Sequence, residues 1–190
     1  MIIVTTPMCK EIVKLAGLDN FKINKHPDKE EGDLAILLSE SKVDMPSIPI
    51  KLNTFSQIKE SILKVSSYFY ENKIIEEKIE INDILDIFKK YEDQGCNYIN
   101  FDLSIKENNH NKKVKVYSKF LKDIIQDVGC EIVQDNFDYV VFPDYLKSKV
   151  IELDLDDSNL KFIEIPTHSN TSPNPIIRAN ERYSILLSGL

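Results

Sequence analysis

With 190 residues, 42% of them hydrophobic and 29% charged, the chain is long enough for one compact core and too apolar to be disordered. Its net charge of −7 and its lack of a basic run exclude a general nucleic-acid binder, and no stretch approaches the roughly 18 apolar residues of a membrane span. The three cysteines stand at unrelated spacings, so they suggest neither a disulfide framework nor a CxxC zinc site; no basic leader precedes an apolar core, and the expected location is the cytoplasm, with reduced thiols.

In chain order, Ile2 to Thr5 reads as a short buried strand. Thr6-Pro7 then supplies an N-cap followed by proline at the first helical position. Ile12, Val13, Leu15 and Ala16 give that helix an apolar stripe, and Gly17 stops it. Phe21 to Ile23 predicts a brief strand, Lys25 to Gly32 a charged turn, Leu34 to Leu38 a buried strand, and Ile50 a short one after the two-proline loop Val43 to Pro49. Thr54 caps a helix over about 55–71, with Ile58, Ile62, Val65 and Phe69 along one side. Asn82 caps another over about 83–94, ended by Gly95.

Beyond that point, Asn97 to Ile105 reads as a strand and Lys106 to Lys113 as a polar run, with Lys112, Lys113 and Lys115 as the solvated start of a helix over 116–128. Strands are predicted near Cys130 to Val133, Tyr139 to Phe142, Val150 to Leu155 and Phe162 to Ile165. Asn174-Pro175 repeats the cap-plus-proline signature and opens a last helix over about 176–187. The alternation predicts an α/β fold, a mixed β-sheet covered by helices on both faces, in a single domain over 1–190 that allows a helical insertion at about 54–95. Composition marks no boundary, although positions near 54 or 95 would allow one, and no internal repeat is visible.

Two constellations carry chemistry. In Thr5-Thr6-Pro7-Met8-Cys9, the predicted cap puts Cys9 third in the helix, where a strand hands over to it. That is the edge at which α/β proteins bind ligands. The helix N-terminus stabilises a thiolate by roughly 0.3–1 kcal/mol, which lowers a thiol pKa by up to about one unit. A cysteine packed in the core is the competing reading, and for Cys96 and Cys130 the preferred one. The second constellation is the loop Pro166 to Asn174, which places Thr167, His168, Ser169, Asn170 and Ser172 ahead of a helix N-terminus suited to an anion. The chain's only arginines, Arg178 and Arg182, stand four apart on that helix, and arginine is the side chain suited to forked contact with phosphate or carboxylate. Glu152, Asp154 and Asp156 alternate along a predicted strand and are read as its solvated face. His26, His110 and His168 lack metal-ligand spacing, so no metal site is expected.

The opening segment Met1-Ile-Ile-Val-Thr-Thr-Pro-Met-Cys9-Lys-Glu-Ile resembles the start of the HcgF family, which acts in building the iron–guanylylpyridinol (FeGP) cofactor of the Fe-hydrogenase of methanogenic archaea. The resemblance implies that Cys9 takes the carboxyl group of guanylylpyridinol as a thioester, after ATP-dependent adenylation by the E1-like partner HcgE. It implies guanylylpyridinol as ligand and no tightly bound cofactor; a homodimer is compatible with the sequence and not dictated by it. From the residues themselves, Thr6, Pro7, Met8, Thr167, His168, Ser169, Asn170, Ser172 and Arg178 are the candidate ligand contacts around a catalytic Cys9. Two other readings stay open: a non-catalytic nucleotide-binding module with Cys9 in the core, and a cysteine-dependent hydrolase or amidase using His168 as base.

Overall fold

The segments Leu-Ala-Ile-Leu-Leu at 34–38 and Tyr-Val-Val-Phe-Pro at 139–143 are apolar throughout rather than at every second position. Such runs suit strands buried on both faces, as parallel sheets demand. In the computed structural model, which describes residues 1–101, 103–154, 160–167 and 171–190, both become interior strands of four-stranded parallel sheets.

The chain divides into two compact units, 1–95 with 173–177 and 96–172 with 178–190. The first unit runs β1 (Ile3–Thr5), α1 (Lys10–Leu15), β2 (Lys22–Ile23), β3 (Leu34–Leu38), β4 (Ser47–Ile50), α2 (Phe55–Glu71) and α3 (Ile81–Asp93). Its strand order is β2-β1-β3-β4, with Thr5 opposite Ile36 and Leu38 opposite Ile50. Helix α2 forms where the pattern predicts it. Thr54 Oγ1 accepts from the Gln57 amide at 3.2 Å, and Phe55, Ile58, Ile62, Val65 and Phe69 are buried at helical spacing. Burying each such side chain contributes about 1.5–3 kcal/mol. Helix α3 is capped two residues earlier than predicted, by reciprocal bonds between Glu80 and Asp83. Phe88 of α3 meets the Phe55 ring edge-on at 6.5 Å.

The second unit holds α4 (Leu103–Asn109), β5 (Lys113–Val116), α5 (Lys119–Asp127), β6 (Glu131–Ile132), β7 (Tyr139–Pro143), α6 (Lys147–Asp154), β8 (Lys161–Ile165) and α7 (Pro175–Gly189), whose first turn groups with the first unit. Its sheet order, β6-β5-β7-β8, repeats that of the first, although the sequence shows no repeat. In each unit a strand feeds a helix, the next strand pairs on one side of the first, and the third pairs on its other side. The order therefore reverses between β1 and β3 and again between β5 and β7. Crevices at the carboxyl ends of such reversal points are where parallel α/β sheets take ligands.

The α/β class is as the sequence predicts, but three element assignments differ. Every strand pair among the described residues is parallel, so the antiparallel part expected over 130–165 is absent. The reason is α6: residues read as a strand from the alternation Ile151, Leu153, Leu155 form a crossover helix up to Asp154, and a helical crossover returns the chain parallel. The strand on which Glu152, Asp154 and Asp156 were to share a solvated face is therefore not formed up to Asp154; Asp156 lies outside the described residues. Residues 97–105 form turns and the start of α4, not a strand. Conversely, Lys113–Val116 is a strand rather than a helix start. Val114 is fully buried there, and Lys115 lies against the Tyr117 and Phe137 rings, its Nζ 5.3 and 4.6 Å from their centroids.

Three glycines end helices with left-handed backbone, and two of them, Gly95 (φ +98) and Gly129 (φ +90), differ in their surroundings. A Cβ on Gly95 meets nothing within 4 Å, whereas one on Gly129 would stand 2.7 Å from the Lys106 carbonyl oxygen. Gly95→Ala should therefore cost about 1 kcal/mol of backbone strain, and Gly129→Ala about 1–3 kcal/mol more for the clash. Chemical denaturation of the two variants measures this; equal losses would contradict it.

Candidate functional site

At the carboxyl end of β1, the amides of Cys9 and Lys10 both donate to the Thr6 carbonyl oxygen, at 3.1 and 3.0 Å. Residues 6–9 thus close a turn, and the helix begins at Lys10 with Cys9 as its N-cap, not its third residue. Helix α1 has six residues, too few peptide dipoles to add up to the expected field. Cys9 has 0% of its surface exposed. Thr6 and Met8 are half-buried and Pro7 is exposed. The turn stands where the sequence put it, at the first reversal point, but its thiol faces the core. Cys96 and Cys130 are also buried, and burial pushes the Cys130 thiol up to about 11.

In the second unit the structure gathers residues from the carboxyl ends of β7 and β8 and from α7. Asp144, directly after β7, accepts from the Thr167 amide at 3.0 Å and from the Thr167 hydroxyl. Arg178 Nη1 donates to the Ser172 carbonyl oxygen at 3.0 Å, and the Ser172 amide donates to Glu181 at 3.2 Å. Arg182 Nε donates to the Pro166 carbonyl oxygen at 3.3 Å. Both arginines are nearly sealed, 2% and 5% exposed. Burial first, and the neighbouring Arg178 charge second, hold the Arg182 guanidinium down to about 10, against the opposing pull of Asp144 and Glu181. Of the predicted contacts, Thr167, Ser172 and Arg178 are therefore brought into one network. His168, Ser169 and Asn170 lie outside the described residues.

Sequence reading missed the part played by Asp144, and it gave Arg182 no place in the site. The signal for Arg182 was present: two arginines among 24 basic residues, one turn apart. The predicted anion site at the start of α7 is occupied by the chain itself. Asn174 Oδ1 accepts from the Ile176 and Ile177 amides at 2.9 and 3.3 Å, which uses the donors an anion would need.

No family model and no curated protein matches the chain. Solved structures do. The laminin-binding protein Lmb of Streptococcus agalactiae, described as a bifunctional protein with adhesin and metal-transporting activity, is 8% identical over 99% of this chain and 98% of its own, at a TM-score of 0.63. The metal-dependent lipoprotein YcdH of Bacillus subtilis is 12% identical over 100% of both chains, at 0.61. The SBP FpvC of P. aeruginosa, solved with Ni2+, is 8% identical over 100% of this chain and 96% of its own, at 0.62. At these identities the likeness speaks for the fold.

These findings correct the expectation of cofactor biosynthesis through a thioester on Cys9. The fold is shared with structures described as metal-transporting, metal-dependent and Ni2+-bound, and the thiol is sealed rather than presented in a cleft. A metal centre needs several ligating side chains to converge. Among the described residues no three His, Cys, Asp or Glu side chains converge, and His26 and His110 are exposed, so the described donors do not fit one.

Two measurements follow from this geometry. In native protein a thiol reagent should titrate the three cysteines slowly, and all three promptly in denaturant; a fast native thiol that vanishes in Cys9→Ser would contradict the burial. Asp144→Asn weakens the charge-assisted bonds to Thr167 and should cost about 1.5–3 kcal/mol in denaturant unfolding. An unchanged midpoint would show that this clamp adds nothing.

Proposed function

We propose that this chain is a reversible solute-binding protein, which captures a small charged solute without forming a covalent bond to it. One observation carries the reading: along nearly its whole length the chain has the fold of proteins described as metal-binding or metal-transporting. Cys9 is the one nucleophile the sequence had offered, and its burial favours reversible capture over a covalent adduct. Metals, Ni2+ among them, are what the neighbours' descriptions name. The described side chains of this protein offer arginine, hydroxyl and amide groups at the sheet edge instead of a cation-ligating cluster.

A ligand that binds only the folded state stabilises it by mass action, about 2.7 kcal/mol at a hundred times its Kd. Thermal unfolding against increasing Zn2+, Mn2+, Ni2+, sodium phosphate and sodium acetate, each with a sodium chloride control, tests the proposal. At least one probe should raise the Tm along a saturating curve. A Tm flat against every probe would contradict it, as would an adduct on the protein that persists in denaturant.

A further inference from the structure

Arg182 stands at the reversal point of the second sheet. Its guanidinium carbon lies 4.8 Å from the centroid of the Phe120 ring, on the second residue of α5, which begins directly after β5. Its single hydrogen bond among the described residues runs from Nε to Pro166, directly after β8. Among the described residues, the four N–H donors of the two Nη groups have no acceptor and no carboxylate within ion-pair distance, although Arg182 is only 5% exposed. A guanidinium held this way, against an aromatic face and tied through Nε alone, keeps its fork edge available.

A second, independent observation concerns α5. This nine-residue helix has Ser118 as its N-cap, and the Ser118 side chain makes no capping bond. Its first intrahelical bond is from the Lys122 amide to the Ser118 carbonyl oxygen, at 3.3 Å. The first-turn amides therefore keep their donors, in contrast to the start of α7.

The geometry points to an oxyanion site at the carboxyl edge of the second sheet, where a carboxylate or a phosphate monoanion bridges the Nη groups of Arg182 and the first turn of α5. Arg178 adds positive charge nearby. Asp144 and Glu181 also face Arg182, and their oxygens are engaged by Thr167 and Ser172. Two cations and two anions balance before a ligand arrives, so the site favours a singly charged group over a polyphosphate. This inference rests on the solute-binding reading and gives that reading its ligand class.

The scarcity of arginine makes the test direct. Protein labelled with 15N-arginine gives two side-chain Nε signals, from Arg178 and Arg182. Titration with sodium acetate and with sodium phosphate, against sodium chloride at equal ionic strength, should shift the Arg182 signal along a saturating curve for at least one of them. In Arg182→Lys, which keeps the charge but loses the fork, affinity should fall at least about tenfold, close to 1.4 kcal/mol. The Arg178 signal in that variant reports whether the fold persists, and Lys119→Pro, which removes a first-turn amide at the position where proline fits a helix, should weaken binding without touching either arginine. Arginine signals that follow chloride alone would overturn the oxyanion site. If Zn2+ or Mn2+ then binds saturably with both signals unmoved, the solute-binding reading survives and the ligand class fails. Silence toward every probe overturns both.

Discussion

Parallel strands cannot be joined by tight turns. Each connection must run from the carboxyl end of one strand back to the amino end of the next, and this constraint organises both units. It demands strands apolar on both faces, which β3 and β7 supply with buried residues along almost their whole length. It also gathers the starts of the connecting segments at one edge of each sheet. Thr6 to Cys9 leave β1 there; Ser118 and Phe120, Asp144, and Pro166 to Thr167 leave β5, β7 and β8. Side chains distant in sequence become neighbours because of the topology, before any particular contact is made.

The same constraint explains why Cys9 and Arg182 end up differently although both stand at a reversal point. Cys9 belongs to a turn tied twice to Thr6 and caps a short helix packed against α2, so its small apolar side chain is drawn inward. Arg182 cannot be buried so cheaply. A guanidinium taken out of water needs acceptors or opposite charge, and the second unit supplies one carbonyl oxygen, an aromatic face and the field of two nearby carboxylates. The remaining donors give the site its chemistry. The emphasis thus moves from a nucleophile in the first unit to hydrogen-bond recognition in the second.

Local signals were legible wherever the chain obeys a local rule. Thr54 and Asn174 cap the helices they were expected to cap, and the apolar stripes of α2 and α5 follow the helical period. Reading failed where short segments satisfy two periods at once. Val150 to Leu155 alternates like a strand but is helical up to Asp154, and Lys113 to Val116 carries Lys115, whose Nζ lies over two aromatic rings. The repeated strand order was invisible because it resides in topology rather than in residue identity. Of the site, Thr167, Ser172 and Arg178 could be found from residue type and loop position. Asp144 could not, because nothing near position 144 hints at a partner 23 residues away.

The central claim is that this protein holds its solute by non-covalent contacts. Mass spectrometry of the same preparation, under native and then denaturing conditions, tests it most directly. The account predicts that any added mass seen on the native protein disappears on unfolding and leaves the bare 21.9 kDa chain. An added mass that survives unfolding and maps to Cys9 would contradict it.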